Sequence, residues 1–368
     1  MTENKGSRTT AVPLMGRRKL ILSASILPVL ASCASNFEHV NNMPLSELAS
    51  HLGIGATSYA TLKNGHVDEL VSVSGQHNQR LHPADTVFQA ASLTKPLVAY
   101  AALELVLAGE LELNAPASHY LPRGYLHFHR LLARQPQDAH DIMPPSVLSR
   151  ISIGCLLNHS SGLPNWSDKP MTLDFEPGTR WQYSGEGYML LQSVLEAVTG
   201  QSLDNWMAST VFAPLGMTRS SLVWHERLDS QVLTTAQPGF WSPRPAKISQ
   251  PLAAASLYSS ALDFAQFMCA VLRQKSLIAL TLSSPVMVNQ ALGIEWGHGW
   301  GIERGSHGVK LWQWGNNPGF RSFAMCLLES GNGFVALTNH HQGMVMAERI
   351  AQRALPGEHK AFRFFMVG

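Results

Sequence analysis

The chain has 368 residues, 45% of them hydrophobic and only 14% charged, with a formal net charge of +2. Charged residues make up about a quarter of an ordinary globular chain, so this composition excludes a disordered or fibrous protein and describes one that buries a large core. With no long basic run beyond the N-terminus, the charge also argues against a nucleic-acid partner.

Taken in order, the first element is a targeting segment. Arg17, Arg18 and Lys19 precede an apolar stretch from Leu20 to Ala31 and then small residues, which is the order of a secretory signal peptide. The stretch is too short to span a bilayer and contains Pro28, and no later segment is long and apolar enough either. Its end, "LASC" from Leu30 to Cys33, resembles a bacterial lipobox, whose cysteine is lipidated; an ordinary cleaved signal with Cys33 incidental is the other reading. The expected organisation is a signal peptide over residues 1–33 and one domain over 34–368. The expected location is the bacterial periplasm or envelope, with a membrane contact if Cys33 carries lipid.

Next, "ATSYATLKNGHVDELVSVSG" alternates apolar with small or polar residues around Asn64-Gly65, a two-residue hairpin signal. "GFRSFAMCLLESGNGFVALTNH" repeats the form near the C-terminus. Helical patterns lie between: residues 97–108; 188–200, stopped by Gly200; a run opened by Ser260 and Asp263 in capping-box spacing; and, last, 343–354. Strands at both ends and helices between them predict an α+β chain, an antiparallel sheet built from both termini and flanked by helices. The sheet lobe is expected over about 45–92 and 290–360 and an inserted, mostly helical lobe over about 93–289. Residues 124–147 and 224–251 read as irregular cover, the second rich in proline (Pro238, Pro243, Pro245, Pro251) and aromatic residues (Trp224, Phe240, Trp241). Cys155, Cys269 and Cys326 lack paired spacing and sit in apolar runs, as buried inert thiols do.

"FQAASLTKPLVAYAALELV" holds the chemistry. Ser92 and Lys95 are one helical turn apart, at the front of an apolar run. Free N–H groups at a helix start favour an alkoxide or oxyanion, and a dehydrated lysine loses its proton more readily. Taken alone, the pair also fits a helix start with a snorkelling lysine. Further motifs decide: "PGTRWQYSGEGY" with Tyr183, "LLNHSSGLPNW", "FAPLGMTRSS" and "WQWGNNPGFRS". In this order they resemble the serine β-lactamase-related family, which comprises class C β-lactamases, D-alanyl-D-alanine carboxypeptidases and β-lactamase-like carboxylesterases; the likeness runs from about residue 52 to 350.

That resemblance implies the β-lactamase/transpeptidase-like fold, no cofactor, and a small-molecule or peptide-like substrate. It implies Ser92 as the acylated nucleophile, Lys95 as the group sharing its proton, and Tyr183 as a partner in proton transfer. The third family element falls on Gln313-Trp314-Gly315, and the oxyanion donors become the backbone N–H groups of Ser92 and Asn316. Two positions depart from the family pattern: Gly185 stands where an asparagine would hold a substrate amide, and Gln313 where a basic residue would meet a carboxylate. The expectation is therefore an exported serine hydrolase of an ester, amide or peptide-like substrate, with Gln313, Trp314, Gly315 and Gly185 bordering that substrate and Trp312, Trp314 and the 224–251 aromatics shaping an apolar pocket. A class C-like β-lactamase or D-alanyl-D-alanine carboxypeptidase is the alternative, and a catalytically impaired binding module of the same fold is the alternative of another class. His127 and His129 have metal-like spacing, but no third ligand is evident and they read as a loop pair with no metal. His159 reads as organising the turn after its helix, His340-His341 as loop, and the glycines around 297–301 lack phosphate-loop order.

Overall fold

A computed structural model describes residues 43–75, 83–230, 232 and 247–367. The targeting segment with Cys33, and Pro238, Phe240, Trp241, Pro243 and Pro245 of the second cover segment, lie outside the described residues.

Turn chemistry sets the strands at both ends. Asn64 and Gly65 take left-handed φ of 52° and 75°, closing a tight hairpin between β1 (Thr57–Lys63) and β2 (His66–Val73). β3 (Phe88–Ala91) stands just before the Ser92 turn. Residues 124–147 are more ordered than expected: β4 (Tyr125–Phe128) and β5 (His140–Met143) pair there as a two-stranded ribbon. That pairing sets Asp141 opposite His127, a neighbour that spacing along the chain does not reveal. β6 (Leu257–Ser259) pairs with β3. Then follow β7 (Val286–Asn289), β8 (Ile294–Trp296), β9 (Gly301–Gly305), β10 (Gly308–Asn317), β11 (Phe320–Leu327) and β12 (Asn332–Thr338).

Eight of these strands form one antiparallel sheet in the order β2-β1-β12-β11-β10-β9-β8-β7, so the N-terminal hairpin adds to strands from the far end of the chain. Both faces of the sheet are buried at its central strands β10, β11 and β12. Leu311, Ala324, Cys326, Val335 and Leu337 join the main core with the helices, while Trp312, Phe323, Met325, Phe334 and Ala336 are buried on the alternate positions. Double burial is why these strands read as near-continuous apolar runs.

Among the described residues, the helices of seven residues or more are α1 (Leu45–His51), α2 (Thr94–Leu107), α3 (Gly185–Thr199), α4 (Ala261–Arg273), α5 (Lys275–Thr281) and α6 (Gly343–Ala354). α4 starts where Ser260 accepts the Asp263 N–H, and α3 stops at Gly200 with φ 68°. α2 is buried almost all round, as a central helix of a large core is. It begins at Thr94, earlier than the apolar pattern suggests, because Pro96 fits the first turn of a helix. α3 likewise begins three residues before its apolar pattern, where Ser184 caps the N–H of Gly187. From Pro44 onward the chain is one compact unit. Cys269 and Cys326 are buried free thiols, and burial pushes the Cys326 thiol up to about 12; Cys155 is free but only half-buried.

Candidate active site

β3 delivers Ser92 to the end of the sheet through a strained turn. Its pairing with β6 slips between Gln89 and Ala91, and Ala91 holds a left-handed φ of 49°. Such a conformation costs a non-glycine residue on the order of 1 kcal/mol and persists only where neighbours over-determine it. The neighbours are all present. The Thr94 hydroxyl donates to the Ala91 carbonyl at 2.6 Å and accepts the Leu257 N–H at 3.0 Å. The Ser322 hydroxyl donates to the Ala90 carbonyl at 2.8 Å, and the Asn317 amide donates to Gln89 Oε1 at 3.0 Å. These bonds tie β3 to β10 and β11 although it is not a strand of the large sheet.

Gly315 is the point of closest approach. A Cβ there would lie 2.2 Å from Ser322 Oγ and 2.5 Å from the Ala90 carbonyl oxygen, so any side chain pushes β10 away from the nucleophile's own strand. Gly315 thus lies against β3 itself, a tighter place than the substrate border expected of it. Gly315→Ala is expected to slow acylation of Ser92 by about a hundredfold, the cost of displacing a reacting group by about 1 Å. The measurement is the labelling rate with a fluorophosphonate; a rate within twofold of wild type would show that the approach is slack.

Lys95 lies under Ser92. It is 1% exposed, its amine is 3.2 Å from Ser92 Oγ, and it donates to the Ala254 carbonyl at 2.7 Å. Burial without an anionic partner pulls its pKa down to about 7. The Ala254 carbonyl is aimed by Gln192 of α3, which donates to the Pro251 carbonyl and accepts the Ala253 N–H. Tyr183 precedes the Ser184 cap of α3, and its hydroxyl is hydrogen-bonded with Ser92 and Gln313. Burial pushes its phenol pKa above the ordinary value of 10, so it is a neutral phenol across the physiological range. The lysine amine sits 4.7 Å from the Tyr183 ring centre, over its face. The serine hydroxyl is therefore the group on which amine and phenol converge.

Gln313 does not face an open cleft. It is fully buried, and its amide donates to Tyr183 Oη at 3.2 Å and to the Trp314 carbonyl at 2.8 Å. By donating to the phenol oxygen it leaves the phenol hydrogen directed elsewhere, which makes it a positioning residue. Trp312 and Trp314 are 0% and 4% exposed, packed with Trp296 and Phe364, and Trp314 lies against the Tyr183 ring at 4.8 Å. They support Tyr183 from the core. Trp224 likewise packs edge-on against the buried Tyr258. Asn316, the second proposed oxyanion donor, is exposed on β10 next to Gly315; among the described residues no acceptor takes the Ser92 N–H.

His159 is buried with φ 60° and accepts the Ser184 N–H at 3.1 Å, so it organises its turn and braces the cap beside Tyr183. Burial and the neighbouring Lys95 hold its pKa well below 6.5. Gly185 opens α3, where its N–H meets Asn165. A Cβ there would fall 2.6 Å from the Trp166 ring, which is itself 42% exposed. Trp166 thus covers the place where the family pattern would put an asparagine side chain. Sequence reasoning placed none of Trp166, Gln192 or the Ala254 carbonyl in the site; Trp166 ends the "LLNHSSGLPNW" motif and a polar Gln192 lies on the apolar face of α3, and these were the available cues.

Known proteins resemble this chain over most of its length. The family model described as "Beta-lactamase" matches residues 47–357. "Esterase EstB" of Burkholderia gladioli is 30% identical over 273 residues, which is 59% of this chain and 66% of the esterase, a little under two thirds of that relative's length. "Penicillin-binding protein 4" of Amycolatopsis lactamdurans is 26% identical over 301 residues, 69% of this chain and 72% of that protein. Among solved structures, the β-lactamase/D-alanine carboxypeptidase from Yersinia pestis shares the fold with a TM-score of 0.64 at 18% identity, over 89% of this chain and 98% of that one.

Proposed function

The chain belongs to the β-lactamase family of serine hydrolases, and on that footing we propose that it works through an acyl-enzyme on Ser92 and that its substrate is an ester, amide or peptide-like compound. The observation that carries this reading is Lys95: an amine buried to 1%, 3.2 Å from a half-buried serine hydroxyl, with its pKa drawn down to about 7. A neutral amine there takes the Ser92 proton as the oxygen attacks a carbonyl carbon. The oxyanion forms beside the N–H groups of Ser92 and Asn316. The Tyr183 phenol, its oxygen held by Gln313, gives its hydrogen to the departing oxygen or nitrogen and recovers one from Lys95. In the second half-reaction water attacks the Ser92 ester and the same groups carry its proton the other way.

Substrate choice follows from the two departures. Gln313 is buried on Tyr183 and offers no positive charge to a substrate carboxylate. Gly185 offers no amide, and Trp166 presents an apolar ring there instead. An acyl group without a strictly read carboxylate fits that surface better than a penicillin or cephalosporin does. Short p-nitrophenyl esters, a chromogenic cephalosporin and D-alanyl dipeptides compared on one preparation test the ordering, with intact-mass detection of the acyl-enzyme. The ester is expected to give the highest kcat/KM; a cephalosporin rate well above it would reassign the protein to the lactamases, and no adduct with any acylating probe would make it a binding module. On the strength of residues 1–33 alone, the hydrolase is also read as exported, with Cys33 as the lipid site; the mass of the mature N-terminus tests this.

A further inference from the structure

The ribbon of β4 and β5 carries a second cluster, apart from Ser92. His127 is on β4 and His129 is one residue past its end; Asp141 sits directly across from His127 on β5, and both histidines turn to it. His127 Nδ1 is 2.7 Å and His129 Nε2 3.0 Å from the same oxygen, Asp141 Oδ1. The ligand atoms of all three lie within 4.8 Å of one another. Asp141 is oriented from behind, since its other oxygen accepts the Met171 N–H at 3.2 Å.

The other nitrogen of His127 supplies an independent observation. The side chain is 1% exposed, yet Nε2 has no hydrogen-bond partner; it points at Glu186 Oε1, 3.6 Å away. Glu186 is itself buried and held by the Ser167 N–H. A histidine that ligates a metal through one nitrogen characteristically directs the other at a carboxylate, which fixes its tautomer and strengthens it as a donor. Without an ion, one imidazole faces two carboxylates. A divalent cation on the Nδ1 side balances both of them.

We propose that His127 Nδ1, His129 Nε2 and Asp141 bind a divalent transition metal of the zinc class, with Glu186 as the carboxylate behind His127. Two imidazoles and one carboxylate are a donor set of zinc and its neighbours, not of calcium or magnesium. Zinc–nitrogen bonds of about 2.0–2.1 Å set tetrahedral ligands about 3.3 Å apart. The present separations of 2.7 and 3.0 Å need only a small opening as the ion replaces the shared protons. His129 and Asp141 are each 20% exposed, which gives the ion an entry path and leaves a fourth position for water. The site is structural. It pins the ribbon to the first turn of α3, and Glu186 lies three residues beyond Tyr183, so a bound ion steadies the support of that phenol.

The full chain, stripped with EDTA and desalted, is titrated with Zn²⁺ and with Co²⁺. One ion per chain retained through desalting, a rise in Tm, and tetrahedral visible bands for the cobalt form are expected. His129→Ala, at a partly exposed position that leaves the core intact, is expected to weaken binding by at least about tenfold and to abolish the Tm rise. His140→Ala, on the other face of the ribbon, should stay within about twofold of wild type. Glu186→Gln should weaken binding by about tenfold or more while keeping the ligands. No retained metal, cobalt without tetrahedral bands, or His129→Ala binding as tightly as wild type would each overturn the site. None of these readouts depends on hydrolysis.

Discussion

Ser92→Ala is expected to abolish covalent labelling by a fluorophosphonate and to lower kcat/KM for any substrate by at least about ten-thousandfold. Removing the nucleophile of an acyl-transfer enzyme costs on the order of a million in kcat, with a residual rate left from binding and the oxyanion donors. The structure gives the reason for so large an effect here. Lys95 has two polar partners, the Ser92 hydroxyl and the Ala254 carbonyl, and only the hydroxyl has a proton to give. The phenol of Tyr183 converges on the same oxygen. With that oxygen gone, amine and phenol have no attacking atom to serve. The substitution keeps the Cβ and removes one half-buried hydroxyl, so stability should change by no more than about 1 kcal/mol, and thermal unfolding can separate lost chemistry from lost fold. Labelling of Ser92→Ala at the wild-type rate, on another serine, would end the assignment. Undiminished ester hydrolysis by the variant would do the same.

The features legible in the sequence are those decided by neighbours in the chain. Asn64-Gly65 makes its hairpin, Ser260 caps its helix, and Gly200 stops one, because each needs only a local backbone conformation. Ser92 and Lys95 are legible for the same reason, being one turn apart, and the family resemblance added Tyr183. The misread features come from pairing across long separations. Nothing in a run of alanines says that the Ala254 carbonyl will hold an amine 159 residues away. Gln313, Trp312 and Trp314 were expected around the substrate, yet the sheet is buried on both faces at its central strands, so alternation along β10 could not tell which side chains meet solvent and which meet Tyr183. Gly315 was placed by the resemblance at the substrate border, and its close approach shows only when β3 is laid against it. Asp141 joined His127 and His129 only once residues 124–147 paired as a ribbon instead of running as loose cover.

Lys95→Met separates the cost of the buried amine from its use, because the two have opposite signs. An unfolded chain holds its lysine protons up to pH about 10.4, whereas folded Lys95 releases its proton near 7. Between those values the unfolded state binds more protons, so the free energy of unfolding rises with pH. The penalty of burial is present in full below pH 7 and is relieved as pH climbs toward 10. The difference in stability between wild type and Lys95→Met should therefore grow in favour of wild type by on the order of 4 kcal/mol from pH 6 to pH 10, the shared titration of all other groups cancelling. Denaturant unfolding at a series of pH values measures it, and a pH-independent difference would mean that Lys95 is hydrated after all. Activity runs on the same group. Wild-type kcat/KM should fall about tenfold per unit below pH 7, where the base is an ammonium, and hold level above it; Tyr183 brings no decline short of pH 10, because burial raises its pKa. Lys95→Met, which fills the same space without a base, should lose about a hundredfold to ten-thousandfold in acylation rate. A flat wild-type profile from pH 5 to 9, with acylation limiting, would mean that some other group takes the proton.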